Sequence, residues 1–329
     1  MHTQFTNPPA QIQISGSDRC QLRFDNFQKI IELTYRYTMN ENLEKILTDS
    51  FTITDGAWGT QFREFGIGPG ECPDGWNLSS PRIVEKIART YIEAGSKIIL
   101  TNTFRANRIS LGSYGLGEKV REINQAGVKI ALNAVRKRAL VFGSVGPTGK
   151  MFTSRYISDT ELFDVYSEQA QLLVDAGVDA VMLESMIDLA EAKIALKAIK
   201  ETGIPAGVSM VFDAGREKDL TMMGNTPEQA AAELTTAGAD IIGANCGLGI
   251  EGYIPILKRL RSSTNKPIWI KPSAGVPGIV QGNVVYSTSP QVFAQYAKVL
   301  VTHGANFIGG CCGTSPEYIN LVCKLLKTK

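Results

Sequence analysis

From residue 51 onward one pattern recurs along the chain: a short apolar or β-branched run, a few small or polar residues, then a stretch whose apolar positions follow a helical period. The runs FTITDG at 51, KIILTN at 97, ALVFGS at 139, DAVMLE at 179, PAGVSMVF at 205, DIIGAN at 240, PIWIKP at 267 and NFIGG at 306 read as strands. Helical stretches follow near residues 81–94, 118–138, 159–176, 188–202, 226–237, 251–262, 289–302 and 315–327. Several of these end on a glycine just before the next strand, as in EAGSK, DAGVDA, TAGAD and THGANF, the expected left-handed stop. Successive strand–helix units of this number predict an α/β fold, a closed (β/α)8 TIM barrel rather than an open doubly wound sheet. The barrel is placed over residues 51–329, and residues 1–50 are read as an N-terminal extension. Residues 1–20 are polar and broken by Pro8, Pro9 and Gly16, whereas Leu22, Phe24, Phe27, Ile30, Ile31, Leu33, Leu43 and Leu47 give a broken helical period. Such helices would pack on the larger body or form a contact in a homo-oligomer.

Composition narrows the partners. With 43% hydrophobic and 20% charged residues in 329, the chain has ordinary globular usage and a large core. Lys plus Arg minus Asp plus Glu is 34 − 32 = +2, so no whole-molecule field draws it to nucleic acid or an anionic membrane, and a small molecule is the expected partner. No apolar run of about 18 residues occurs, and MHTQFTNPPAQIQISGSDRC lacks the basic and apolar regions of a secretory signal, so the expected compartment is the cytoplasm. Six cysteines are too few for a disulfide scaffold, and two of them, Cys311 and Cys312, are adjacent. With only His2 and His303 in the chain, carboxylates, thiols and lysines must carry most of any catalysis.

In a TIM barrel the active site lies at the carboxyl ends of the strands. The positions that fall there are Asp55, Asn102, Ser144, Glu184, Phe212 with Asp213, Cys246, Lys271 and the pair Cys311 and Cys312. Three thiolates can hold zinc with the fourth position open, the arrangement of a catalytic site. Both adjacent cysteines can face one metal only if the backbone turns sharply, which Gly309, Gly310 and Gly313 would allow. Buried apolar thiols or a redox-active vicinal disulfide are the alternatives. Cys20, Cys72 and Cys323 lie off the rim, and Cys323 in VCKLL reads as helix core. A zinc complex of three thiolates is a poor Lewis acid but a good carrier of a nucleophilic fourth sulfur, which favours sulfur alkylation over hydrolysis.

Asp55 and Glu184 can bind a substrate ammonium through charge-assisted bonds, or can serve as helix caps or ion-pair partners. The backbone amides of DGAWGT at 55 are candidates for a carboxylate. SVGPTGK at 144 lacks the Walker spacing and reads as a backbone turn. Lys271 in WIKPSAG admits a Schiff-base reading, that of a lyase or aldolase, beside that of an ion-paired lysine.

The segments DGAWGT at 55, LTNTF at 100, GSVGPTG at 143, LESMIDLAEAKIAL at 183, GANCGLG at 243 and GGCCGTSPEYI at 309 together resemble the homocysteine S-methyltransferase family. That family includes the homocysteine-binding barrel of cobalamin-dependent methionine synthase and betaine-homocysteine methyltransferase. The resemblance implies that Cys246, Cys311 and Cys312 bind Zn2+, that Asp55 and Glu184 hold the homocysteine amino group, and that the homocysteine sulfur takes a methyl group to give methionine. It makes Asn245 a polar neighbour of the metal. The implied partners are homocysteine and a methyl donor, the latter betaine, S-methylmethionine, S-adenosylmethionine or a methyl group on a separate corrinoid protein. The Trp76 loop, DGWNLSSP, resembles the betaine enzymes, whose aromatic position after the second strand is Arg105 here. In the methionine synthase branch the residue before TNTF is usually acidic, and here it is Leu100. A non-catalytic thiol-binding protein is the remaining alternative.

Overall fold

The computed structural model describes residue 44 and residues 50–149, 157–280 and 283–327. Apart from Glu44, these fall in a unit spanning Ile46–Lys329. The extension read over residues 1–50 and the helical period at 22–47 therefore lie, Glu44 and Ser50 apart, outside the described residues.

Seven parallel strands come first: β1 (Thr52–Ile53), β2 (Ile98–Leu100), β3 (Leu140–Val145), β4 (Ala180–Met186), β5 (Ala206–Met210), β6 (Ile241–Gly249) and β7 (Ile268–Ser273). An antiparallel hairpin of β8 (Pro277–Val280) and β9 (Asn283–Tyr286) follows, and then the last barrel strand, β10 (Phe307–Ile308). The sheet order β1-β10-β7-β6-β5-β4-β3-β2 leaves β1 and β2 at its ends, where a parallel bridge between Thr54 and Ile98 joins them. The result is the expected (β/α)8 barrel.

Each strand is followed by an outer helix: α3 (Pro81–Ala94), α5 (Val120–Val135), α6 (Asp159–Ala176), α7 (Leu189–Lys200), α8 (Pro227–Thr236), α9 (Tyr253–Arg261), α10 (Pro290–Thr302) and α11 (Pro316–Lys327). All lie within a few residues of the stretches read from the periodicity. Local chemistry sets their ends. Ser158, Asp188, Thr226 and Ser289 accept bonds from the first free amides of α6, α7, α8 and α10. Gly95, Gly177, Gly238 and Gly304 stop the preceding helices with φ between 93° and 113°. The periodic pattern did not reveal α1 (Trp58–Glu64), α2 (Trp76–Ser79), α4 (Arg108–Gly112) or the hairpin, all of them in loops after β1, β2 and β7.

The strands bury both faces, as parallel strands must. Val141, Val181, Leu183, Ile242, Ile268 and Ile270 pack outward in one cluster with Leu173, Leu196, Leu234, Leu257 and Leu300 of the helices. The alternate positions fill the barrel. Phe142 on β3 stacks on Trp269 on β7 with ring centroids 6.0 Å apart, and Trp269 meets Phe307 at 5.4 Å. Contact between strands that are not neighbours places these rings inside. Gly243 on β6 gives Trp269 its room: a Cβ there would lie 2.5 Å from the Trp269 carbonyl oxygen. This aromatic layer closes the barrel below its carboxyl end and forms the floor of the site.

Candidate active site at the barrel mouth

The strands bring the rim residues together in two corners. The first contains the cysteines. β6 pairs with β7 in register as far as Cys246 opposite Pro272, then slips before Gly249 pairs with Ser273. At that bulge Cys246 takes φ 65°, a left-handed conformation that costs energy in a residue with a Cβ and that recurs at functional positions. The Tyr253 hydroxyl donates to the Cys246 carbonyl oxygen and braces the distortion. After β10 the chain turns back. Cys311 N–H donates to the Pro272 carbonyl (2.7 Å), Ala274 N–H to the Cys312 carbonyl (2.8 Å), and Gly313 N–H to Thr60 Oγ1 (3.0 Å). Of the three glycines expected to permit this turn, only Gly313 has a positive φ, 83°. Gly309 and Gly310 are required by space instead, since a Cβ would lie 2.0 Å from Thr54 Oγ1 at the former and 2.2 Å from Thr314 Oγ1 at the latter.

The turn carries Cys311 and Cys312 to Cys246, and the three Sγ atoms lie within 4.8 Å of one another. Cys246 and Cys312 are 3.9 Å apart. Among the described residues this is the sole group of His, Cys, Asp or Glu ligand atoms close enough to hold one metal ion. Its ionisation is shared. The thiols of Cys311 and Cys312 beside it bring the Cys246 thiol down from 9.0 to about 3. The Cys246 thiolate pushes Cys312 up to about 11 and Cys311 up as well, with burial acting in the same direction. Of the three, Cys246 is the thiol most readily deprotonated, and a bound cation would draw off further protons. All five described cysteines are free; Cys72 is buried in the loop after β1 with Ala106, Leu111 and Val120, apart from the three clustered sulfurs, and Cys323 lies in the apolar face of α11, as VCKLL suggested.

The second corner contains the acids. Asp55 is fully buried, and its Oδ2 accepts from Trp58 Nε1 (2.8 Å) and Leu100 N–H (2.9 Å). Its Oδ1 accepts from Lys271 Nζ at 2.6 Å. Glu184 lies across from it on β4: Oε1 accepts from Ser144 Oγ at 2.6 Å and Oε2 lies 3.7 Å from Lys271 Nζ. Burial pushes the Glu184 carboxyl above its ordinary range, although Lys271 and Ser144 favour its charged form. Burial also acts to lower Lys271, but Asp55 and Glu184 more than offset it and the net direction is upward. Lys271 is therefore an ion-paired ammonium. The Schiff-base reading needs the neutral amine, which this pairing disfavours. Neither acid caps a helix: α1 starts at Trp58 without a side-chain cap, and the Ala57 amide is spent on the Thr314 carbonyl (2.9 Å), leaving DGAWGT one amide fewer for a substrate carboxylate.

Asn245 joins the corners. Its Oδ1 accepts from Ser185 N–H (2.8 Å) and Ser209 Oγ (2.7 Å), and its Nδ2 donates to Ser185 Oγ (2.7 Å) and faces Cys311 Sγ at 3.9 Å. Ser185, next to Glu184, has φ 55° at a slip in the β4–β5 pairing, the counterpart of the bulge at Cys246. Sequence reading placed Ser144 and Lys271 on the rim without a function for Ser144, and gave Trp58, Ser185 and Tyr253 none. Asp213 packs against Gly247 beside Cys246, while Asn102 bonds Asn77 (2.9 Å) and the Pro73 carbonyl (2.8 Å) and fastens the Trp76 loop. The SVGPTGK turn offers no phosphate cradle at Thr148, whose amide is taken by the Glu191 carboxylate at 2.9 Å.

Known proteins share this architecture. The chain is 30% identical over 306 residues to a methionine synthase of Mycobacterium leprae, and 29% identical over 303 residues to that of Mycobacterium tuberculosis. Each alignment covers 87% of this chain, which spans about a quarter (25%) of either relative's length. Among solved structures, the metallated form of the homocysteine methyltransferase MmuM from Escherichia coli superimposes with a TM-score of 0.70 at 21% identity, covering 84% of this chain and 96% of that one. The sequence profile of the homocysteine S-methyltransferase family matches residues 52–326, nearly all of the described barrel, and the chain belongs to that family.

Proposed function

We propose that this chain transfers a methyl group to the sulfur of homocysteine, giving methionine, with zinc held by Cys246, Cys311 and Cys312 and the substrate's amino group received by the acidic corner of Asp55 and Glu184. The observation that carries this reading is the convergence of three cysteine sulfurs beside a buried acidic pair, the two joined through Asn245. The sulfurs suit a tetrahedral zinc ion, in which bonds of about 2.3 Å set neighbouring sulfurs about 3.8 Å apart. Cys246 and Cys312 already stand at 3.9 Å. Soft donors without a carboxylate or imidazole among them favour zinc over the hard cations.

Zinc, when bound, supplies the positive charge that keeps a thiol deprotonated at neutral pH, where a free thiol of pKa about 8.5 is mostly protonated. The rest belongs to the protein. The acidic corner fixes the amino end of the substrate, so that its sulfur reaches the cysteines in one orientation. That sulfur attacks the methyl carbon; a carbon–sulfur bond forms, the bond from the methyl to the donor breaks, and its electron pair leaves with the donor. Cys312, exposed while Cys246 and Cys311 are half-buried, marks the side from which a donor approaches. Free cysteines throughout the described residues suit the cytoplasm, and no helix among them is long and apolar enough to cross a membrane.

The test is a donor screen. Reduced, zinc-loaded protein is incubated with homocysteine and, in turn, betaine, S-methylmethionine, S-adenosylmethionine and a methylated corrinoid protein, and methionine is quantified. Methionine should form with one of them and not after Cys246→Ala. Tight homocysteine binding with no methionine from any donor would favour the thiol-binding alternative.

A further inference from the structure

Each corner of the mouth holds its own geometry. The cysteine turn is tied to β7 and the residue after it, with Cys311 N–H on the Pro272 carbonyl (2.7 Å) and Ala274 N–H on the Cys312 carbonyl (2.8 Å). The Asp55 carboxylate is tied to Trp58, Leu100 and Lys271. Between the corners runs a seam where the turn after β1 meets the turn after β10: Gly310 N–H donates to the Asp55 carbonyl (3.0 Å) and Ala57 N–H to the Thr314 carbonyl (2.9 Å). Tyr91, on the buried face of α3, has no exposed surface, and its hydroxyl lies 2.9 Å from the Ala57 carbonyl oxygen and 3.0 Å from that of Thr314. A phenol has one hydrogen, so the two carbonyls share it. Burial, with the Asp55 charge next, pushes this phenol well above its ordinary value, so it keeps the proton it donates. Gly56 completes the contact, since a Cβ there would lie 2.7 Å from both the Tyr91 ring and the Thr314 carbonyl oxygen.

We propose that Tyr91 is a positioning residue that fixes the distance between the two corners, and through it the length of thiol that the site accepts. This rests on the reading of the site as one that holds an amino acid at one corner and its sulfur at the other. A ligand anchored at both ends has a set number of bonds between its anchors, so it binds in full only where the corners stand at the matching distance. Homocysteine has two methylene groups between its α-carbon and its sulfur. Cysteine has one, and in a rigid mouth it reaches one corner at the expense of the other. Tyr91 is suited to set that distance because it joins three separate parts of the chain: α3, the turn after β1, 34 positions away, and the turn after β10, 223 positions away. The bonds that fix the Asp55 carboxylate and the cysteine turn do not pass through it. Loss of its hydroxyl therefore loosens the span and leaves both anchors in place.

The test measures calorimetric binding of homocysteine, cysteine and 4-mercaptobutyrate, the last being homocysteine without its amino group, to the reduced, zinc-loaded protein. Wild type should prefer homocysteine to cysteine by about tenfold or more, as one methylene in a fitted site allows. Tyr91→Phe keeps the ring and loses the hydroxyl. Its preference should fall by about fivefold or more, the worth of one buried hydrogen bond, through weaker binding of homocysteine. Binding of 4-mercaptobutyrate, which has no ammonium to place, should stay within about twofold, and bound zinc should be unchanged. Thr60→Val removes another bond across the same seam, that from Gly313 N–H at 3.0 Å, and should lower the preference in the same direction. A preference kept in Tyr91→Phe, or in Thr60→Val where Tyr91→Phe does not fold, overturns the proposal. Equal weakening of all three thiols, or loss of zinc, makes Tyr91 a support of the whole mouth and overturns it as well. Wild-type protein that binds homocysteine and cysteine equally overturns the two-anchor reading of the site, and this inference with it.

Discussion

The two corners of the barrel mouth meet the same difficulty, charge held out of water, in opposite ways. Around β1, β4 and β7 the protein supplies its own answer: Lys271 lies between Asp55 and Glu184, and backbone, indole and hydroxyl donors take most of the remaining oxygens. At β6 and the turn after β10, Cys246, Cys311 and Cys312 face chiefly one another, and one of them holds a strained backbone. The acidic corner sets one ammonium against two carboxylates, a net charge of −1, and meets that charge with hydrogen bonds of its own. The cysteine corner gathers three sulfurs within 4.8 Å of one another. If the site works as proposed, one corner reads the substrate and the other gathers its sulfur, and each holds its charge by different partners.

The comparison breaks most visibly at the cysteines. If they form one ligand set, Cys246→Ser should lower bound zinc in the reduced protein from about one ion per chain to nearly none. Cys72→Ala, outside the three-cysteine group, should keep it. Elemental analysis reads both, and zinc retained in the first with zinc lost in the second would refute the ligand assignment. The acidic corner should fail in stability rather than in metal content. Lys271→Met strands two buried carboxylates, a change that costs about 3–5 kcal/mol. At roughly 2–4 °C per kcal/mol, that corresponds to a melting temperature about 6–20 °C lower. The Asp55→Asn/Lys271→Met protein, with one buried charge fewer, should regain much of the loss; equal stability of the two would mean that Asp55 and Lys271 are not paired in solution.

The same contrast explains what was legible in the sequence. The barrel could be read because its eight units repeat two periods, and because helix stops such as Gly95 and Gly177 are local necessities. The rim rule then brought Asp55, Glu184, Cys246, Cys311 and Cys312 to one end of the molecule, where the structure also places them. Elements too short to show a period, α2 with four residues and α4 with five, left no pattern to read. Lys271 was visible as a residue but not as a pair, since its partner lies 216 positions away and only closure of the barrel brings them together. The glycines of GGCCGT were visible too, but the reason for two of them, the crowding of Thr54 and Thr314, is a tertiary contact.

A smaller effect separates the corners by ligand rather than by stability. Ser144 donates to Glu184 Oε1 and sets the orientation of the carboxylate. Ser144→Ala removes a hydrogen bond to a charged group, worth about 1.5–3 kcal/mol in total, of which water at the opened site would replace part. Homocysteine affinity should fall by about tenfold while that of 4-mercaptobutyrate holds, and zinc content should be unchanged. Parallel weakening of both thiols would mean that Ser144 supports the whole mouth and not the acidic corner alone.

The gentlest test varies only pH. Burial pushes the Glu184 carboxyl above the ordinary carboxylate range, so it takes up its proton at a higher pH than a solvated glutamate near 4.3. In the free protein, a raised folded value means that this group's contribution to stability is complete below the unfolded pKa and is lost as pH rises through the folded one. Binding an ammonium has the opposite dependence, because it uses the carboxylate and should weaken as pH falls through the same raised value. Homocysteine affinity alone would mix this with the proton that its thiol loses at the cysteine corner. The ratio of homocysteine to 4-mercaptobutyrate affinity cancels the thiol's contribution, since the two ligands share that group. The ratio should decline as pH falls through that raised value and be flat in Glu184→Gln. A ratio equally steep in wild type and Glu184→Gln would assign the titration to another group, and a ratio flat in both would remove the ammonium from the acidic corner altogether.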